Sequence, residues 1–143
     1  MSIPKLEYFV VCESISIDRE TNRVSLFNIV EDIQPMGPAT PGPIVAQFVA
    51  VSCWIRQPGD EGRDFQVIHR IHTSDEEHKD FPMNFRMEGP RQRLLLRIQG
   101  VPPVRTGSLR FELLLNGEHV ADHVVTVHPA VSPDAIQPNS SSS

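Results

Sequence analysis

The sequence lacks any run of eighteen apolar residues, which excludes a membrane-spanning helix. The opening stretch MSIPKLEYFVVCESI has an apolar run of only five residues with an acid on each side, so it is not a signal peptide. The formal net charge is −5, which removes any global attraction for nucleic acid or an anionic membrane surface. We therefore expect a cytoplasmic protein that binds neither membrane nor nucleic acid.

Cysteine is scarce. The chain has only Cys12 and Cys53, and each lies within an apolar stretch. In a reducing compartment such residues are expected to be buried, reduced thiols in strands, and a disulfide between them is the less favoured alternative. Neither cysteine has a second ligand two to four residues away, as a zinc site would require.

Motifs for catalysis and for metal binding are also absent. There is no Gly-x-Ser-x-Gly turn, no glycine-rich phosphate loop and no EF-hand spacing. The stretch HRIHTSDEEHKD, residues 69–80, holds three of the six histidines. In a strand, however, His69 and His72 face opposite sides, with His69 partly buried. His119 and His123 would share a face about 13 Å apart, too far for one zinc ion. The spacing of these residues forms no zinc or calcium site, and we predict that the protein has no cofactor.

Strand patterns dominate the chain. Asn116-Gly117 between two apolar runs is a strong signal for a hairpin turn, and the proline-rich residues 34–43 exclude a helix or a central strand. About eight strands are predicted, over residues 6–17, 23–33, 44–56, 65–72, 81–87, 91–99, 108–115 and 118–128. This pattern predicts an all-β fold, an antiparallel two-sheet β-sandwich of immunoglobulin-like or C2-like architecture. Residues 1–128 form its single domain, and residues 129–143 form a disordered Pro/Ser-rich tail.

Several segments resemble an uncharacterised bacterial family of small β-sandwich proteins. They are the opening strand with Cys12, the stretch ISIDRETNRVSLFNIVEDI, the strand FVAVSCWI and the closing GSLRFELLLNGEHVADHVVTV. The resemblance implies the fold. It implies no activity and supplies no catalytic residue, because the family has none assigned.

Arginine is concentrated in one part of the chain. Six arginines lie between residues 86 and 110, where Glu88 is the only acid. Alternation along residues 91–99 places Arg91, Arg93 and Arg97 on one strand face, with Leu95 exposed among them. Arginine is favoured at protein interfaces, so this face is a candidate docking surface for an acidic partner protein. The alternative is a solvated face whose arginines pair with acids on neighbouring strands.

The functional prediction is a non-enzymatic β-sandwich binding module that acts through protein–protein contacts. The alternative is an enzyme, or a metal-dependent domain for calcium or zinc, whose site is assembled only by the fold. A cleft in which His69, Cys12 and an acid converge would favour that alternative. A smooth surface with an apolar patch surrounded by arginines would favour the binding module.

Overall fold

The computed structural model describes residues 3–34, 44–101 and 107–128, and these residues form nine strands. The strands are β1 (Lys5–Ile17), β2 (Val24–Ile29), β3 (Asp32–Ile33), β4 (Ile44–Ile55), β5 (Asp64–His72), β6 (His78–Arg86), β7 (Arg91–Val101), β8 (Ser108–Leu115) and β9 (Glu118–Val127). Within these ranges no helix is present that could cross a membrane. The tail predicted at residues 129–143 lies outside the described residues.

The strands form two sheets. Sheet A has the order β2-β1-β4-β7, and sheet B has the order β3-β9-β8-β5-β6. Neighbouring strands are antiparallel, except that β3 and β9 run parallel. The predicted all-β, two-sheet sandwich is confirmed, with one short parallel pair that the sequence pattern did not indicate.

The second predicted strand, residues 23–33, is two strands in the structure. Asn28 has a φ of 57°, in the left-handed region that asparagine tolerates better than most residues. Beyond it, the amide of Val30 donates to the carbonyl of Val11 at 2.9 Å, and the carbonyl of Glu31 accepts from the amide of Thr126 at 3.0 Å. The chain thus leaves sheet A at Val30 and continues as β3 at the edge of sheet B.

The main core lies between the two sheets. Along β5 every second residue is buried, as expected for a strand with one face in the core, and His69 is one of these buried residues. From sheet A, Phe48, Ala50 and Trp54 face the same layer. Trp54 is fully buried, and its Nε1 donates to Ser52 Oγ at 3.0 Å, so its polar atom is satisfied inside the core. Trp54 is therefore a residue of the main core.

The far half of the β1–β2 hairpin folds across the outer face of sheet A. Val49 and Val51 point away from the main core yet have no exposed surface. With Cys12 they form a separate buried cluster, against which Ile15 and Leu26 of the hairpin pack. The sandwich therefore has a third layer in this region, and it covers part of the face on which the arginines of β7 lie.

The four edges of the two sheets differ in length and composition. At the edges of sheet B, β3 has two residues, and β6 has nine residues with Pro82 among them. In sheet A, the β2 edge has six residues, including the left-handed Asn28. The β7 edge has eleven residues and no proline. Among the described residues, β7 is thus the longest edge strand. It has no proline, and its left-handed residue, Gly100 (φ 75°), lies near its end, so residues 91–99 offer a regular edge for further pairing.

Candidate functional site

The three predicted arginines lie on the outer face of β7 and have different surroundings. Arg91 Nε donates to Glu7 Oε2 at 2.8 Å. The guanidinium of Arg93 donates to the backbone carbonyl of Asn22, at the tip of the β1–β2 hairpin, at 3.0 Å. Within the described part of the chain, Arg97 has no hydrogen bond and no ion pair. The face is therefore paired with the rest of the molecule at one end and unpaired at the other.

Leu95 is more buried than the sequence predicted. It is half-buried rather than exposed, and it packs against the cluster of Cys12, Val49 and Val51. The alternation along β7 was right, but the hairpin layer that extends this apolar cluster could not be anticipated from the pattern of one strand. Leu95 consequently forms part of the wall of a groove and not an isolated apolar spot on an open face.

A shallow outer groove of about 570 Å³ lies between the hairpin tip and the outer face of sheet A. Its lining includes three of the four predicted docking residues, Arg91, Arg93 and Leu95, together with Tyr8 and Cys53. Burial raises the pKa of the Tyr8 hydroxyl, and the neighbouring Cys53 raises it further. Burial likewise raises the pKa of the Cys53 thiol. Both groups are neutral at pH 7. Glu7 also lines the groove and neutralises Arg91, so the net positive charge of the outer groove comes from Arg93.

An edge cavity of about 280 Å³ lies beside Arg97, where the free edges of β7 and β6 face each other. Its lining includes Ile71 and Ile98, which are 2% and 4% exposed, and the half-buried ring of Phe81. Arg97 and Lys79 also line it, and the Lys79 ammonium lies 5.2 Å from the centroid of the Phe81 ring. The cavity thus combines apolar side chains with two basic ones and one acid, Glu77.

A second polar cluster lies on the outer face of sheet B. Glu112, whose side chain is 12% exposed, accepts from His72 Nε2 at 2.7 Å and from His119 Nδ1 at 2.9 Å. Arg110 donates to Asp122 at 3.0 Å and lies 3.8 Å from Glu112. Burial acts to raise the pKa of Glu112, but the hydrogen bonds from both histidines and the charge of Arg110 outweigh it, so the pKa lies below its usual value. Glu112 is therefore ionised and well satisfied at pH 7.

A β-bulge creates this cluster. The pairing of β8 with β9 shifts by one residue between Leu113 and Leu114, which leaves Val120 as the extra residue on β9. His119 and Asp122 are three apart, so in a regular strand they would face opposite sides. The bulge brings both onto the outer face, beside Glu112. The sequence pattern did not indicate the cluster of Glu112, His119 and Asp122, because the bulge shifts the alternation of inward and outward side chains along β9.

The residues Glu112, His119 and Asp122 could hold a metal ion, since one ligand atom from each lies within 4.8 Å of the others. Imidazole nitrogen and carboxylate oxygen are ligands that zinc accepts. The guanidinium of Arg110, however, lies against both carboxylates and partly neutralises them. A cation would have to compete with this arginine, which lowers the affinity that three such ligands would otherwise give.

The histidines are distributed differently from the prediction. His69 is 1% exposed, rather than partly buried, and neither of its ring nitrogens has a hydrogen-bond partner among the described residues. His72 lies on the opposite face of β5, as predicted. The prediction that His119 and His123 share a face is wrong, because the bulge lies between them. His123 instead packs against Phe111 and donates to the Val30 carbonyl at 2.6 Å.

Two residues considered for a catalytic cleft do not meet. Cys12 lies in the outer cluster of sheet A, whereas His69 lies between the sheets, where its ring centroid is 6.1 Å from that of Phe9. Both cysteines are buried and unbridged, as predicted. Burial raises the pKa of the Cys12 thiol, which disfavours the nucleophilic thiolate.

Comparison with known proteins adds no assignment. No protein-family model matches the chain, and no curated protein matches it either. The resemblance to an uncharacterised bacterial family therefore stays a prediction.

Proposed function

We propose that this protein is a non-enzymatic interaction module that binds an extended, acidic segment of a partner protein as an additional strand along the free edge of β7. The observation that carries the proposal is the combination, on one strand, of an eleven-residue edge without proline and a row of arginines. Strand addition of this kind uses main-chain hydrogen bonds for affinity and side-chain contacts for specificity.

The edge of β7 supplies the main-chain hydrogen bonds. Along one side, β7 pairs with β4 from Arg91 to Val101. Every second residue directs its N–H and C=O to the other side, where no described strand pairs with it. Proteins generally shorten, distort or cover such an edge to prevent unwanted pairing. The β6 edge, with Pro82, and the short β2 and β3 edges fit that rule. The β7 edge is long and has no proline, and its protection against unwanted pairing is the charge of its arginines.

The arginines determine which partner fits this edge. Glu7 neutralises Arg91, while Arg93 bonds a neutral carbonyl and Arg97 is unpaired among the described residues, so the face keeps a net positive charge. Opposite charges directly across a strand pair stabilise it, and like charges destabilise it. Acidic residues opposite Arg93 and Arg97 therefore match this edge.

The same rule disfavours pairing between two copies of the chain. In an antiparallel β7–β7 pair centred on Leu95, Arg93 of each copy would lie opposite Arg97 of the other. A strand pair with like charges in this position is destabilised. The arginines thus favour an acidic partner segment over self-association through this edge.

A designed peptide tests the proposal. Antiparallel to β7, the blocked peptide Val-Glu-Val-Thr-Val-Glu places its glutamates opposite Arg97 and Arg93. We expect it to bind in isothermal titration calorimetry, with affinity that falls as salt rises, because exposed charges are screened within about 10 Å at 0.1 M salt. The variant Arg97→Glu should weaken binding at least tenfold. Arg19→Glu, in the exposed hairpin turn, makes the same charge change at a residue outside β7 and should bind within a factor of about two of the unchanged protein.

Methylated peptides separate strand addition from simple charge attraction. Alternate amides of an extended peptide point to opposite sides, so methylating one set of amides removes only the hydrogen bonds made to β7. Two isomers are compared, each methylated on one of the two alternate sets of amides. The isomer whose methylated amides point away from β7 should bind, and the isomer whose methylated amides point towards β7 should not. Equal binding of both isomers, or equal binding of a peptide with lysines in place of the glutamates, would contradict the proposal.

A metal-dependent binding domain is the second candidate, and the cluster of Glu112, His119 and Asp122 is the observation that favours it. One equivalent of zinc bound to tag-free protein, and lost in Glu112→Gln, would support that candidate over strand addition.

We also propose that the protein is located in the cytoplasm, as predicted from the sequence. Two buried, unbridged cysteines are in keeping with a reducing compartment.

A further inference from the structure

The edge cavity lies where an added strand would direct one of its inward side chains. The cavity is lined by β7 residues from Arg97 to Gly100, and Phe81 of β6 lies on its other side. Ile98 points inward to the main core, on the face opposite Arg97. A strand paired with β7 therefore places the side chain opposite Ile98 towards the cavity and the side chain opposite Arg97 towards solvent.

Size and composition indicate what the cavity accepts. At about 280 Å³ it is smaller than the roughly 300–1,000 Å³ typical of sites for drug-sized ligands. The larger part of its lining is apolar and includes Ile71, Ile98 and the ring of Phe81. This space suits one branched apolar side chain better than a polar one, because a polar group would lose its hydrogen bonds to water on entry.

We infer that the partner segment recognised at β7 carries a branched apolar anchor residue followed directly by an acidic residue, with the anchor in the edge cavity and the acid opposite Arg97. This inference rests on the proposed strand addition. Because the pairing is antiparallel, the full pattern is anchor, acid, apolar, any residue, apolar, acid, with the second acid opposite Arg93. The inward positions opposite Leu96 and Leu94 are apolar because both leucines face the core layer.

The basic residues beside the cavity favour an acidic residue directly after the anchor. Arg97 and Lys79 line the cavity together with one acid, Glu77, and neither basic side chain is paired with a carboxylate among the described residues. A carboxylate that immediately follows the anchor lies on the outer face, within reach of Arg97. The anchor and the acid are thus recognised by adjacent residues of β7, Ile98 and Arg97, which point to opposite faces.

The test compares matched peptides by calorimetry. Replacing the anchor valine opposite Ile98 with serine should weaken binding about tenfold or more, since the buried methyl groups are lost. The same valine-to-serine change opposite Leu94, away from the edge cavity, should weaken binding less. Equal losses at the two positions would overturn the anchor assignment and leave the strand-addition proposal intact, whereas no binding by any of the peptides would overturn both.

Enlarging the cavity provides a second test. Phe81→Ala removes one wall, so the variant should prefer a peptide with phenylalanine at the anchor, while the unchanged protein prefers valine. Phe81→Leu, a smaller change, should show an intermediate preference. It replaces Phe81→Ala in the test if that variant does not fold, and thermal melting monitors the fold of both. An unchanged order of preference in a folded Phe81 variant would show that the anchor does not enter this cavity.

Discussion

His69 makes the stability of this sandwich depend on pH in a way that one substitution removes. The ring lies between the sheets at 1% exposure, and neither nitrogen has a hydrogen-bond partner in the part of the chain that the structure describes. Burial lowers its pKa from 6.5 to about 4, and the nearby backbone of Phe81 offsets this only in part. The folded protein therefore holds His69 neutral at pH values where the unfolded chain binds a proton.

The sign and size of the effect follow from linkage. Between pH 6.5 and about 4 the unfolded state binds more protons than the folded state at His69, so the free energy of unfolding falls as pH falls. At about 1.36 kcal/mol for each pKa unit, the full loss is about 3 kcal/mol, complete near pH 4. This is a large fraction of the roughly 5–15 kcal/mol that stabilises an ordinary domain.

Urea unfolding from pH 7 to pH 4.5 measures this loss directly. His69→Leu and His69→Phe have no titrating group, while all the carboxylates that also respond to acid are kept. The difference in unfolding free energy between either variant and the unchanged protein should therefore grow by about 2 to 3 kcal/mol across this range. If the unchanged protein and both variants lose stability in parallel, His69 is not held neutral in the core and the reasoning fails.

Three further results are expected. Cys12 and Cys53 should react slowly with a thiol reagent in the folded protein and fast in urea, because burial removes access and raises both pKa values. Glu112→Gln should lower the free energy of unfolding by about 1 to 3 kcal/mol in urea titrations, since two histidines lose their charged acceptor and Arg110 loses a nearby negative charge. Elemental analysis of tag-free protein should find less than one equivalent of zinc or calcium, because Arg110 competes for the carboxylates of the Glu112 cluster.

Local patterns predicted most of the fold. The alternation along β5 and β7 assigned the correct faces, and the Asn116-Gly117 turn joins β8 and β9 as expected. Asn116 and Gly117 both have positive φ, the geometry that this dipeptide accommodates in a tight hairpin. These features are predictable because they depend only on residues close together in the chain.

The missed features depend on contacts between distant segments. The left-handed Asn28 divides the second predicted strand between two sheets, and the hairpin that folds back onto Val49 and Val51 makes Leu95 half-buried. The bulge at Val120 redistributes the side chains of β9. For the candidate site, the sequence located the arginines of β7 but not the edge cavity, because the cavity forms only where β6 and β7 face each other.

Hydrogen exchange along β7, followed by NMR with and without the acidic peptide, tests the central claim most directly. In the free protein, the amides of β7 that face away from β4 have no partner strand among the described residues and should exchange fast. Strand addition predicts that alternate amides between residues 91 and 99 become protected when the peptide binds, and that Arg97→Glu prevents this protection. Peptide binding that leaves these amides unprotected, or protects only amides of another strand, would contradict the account.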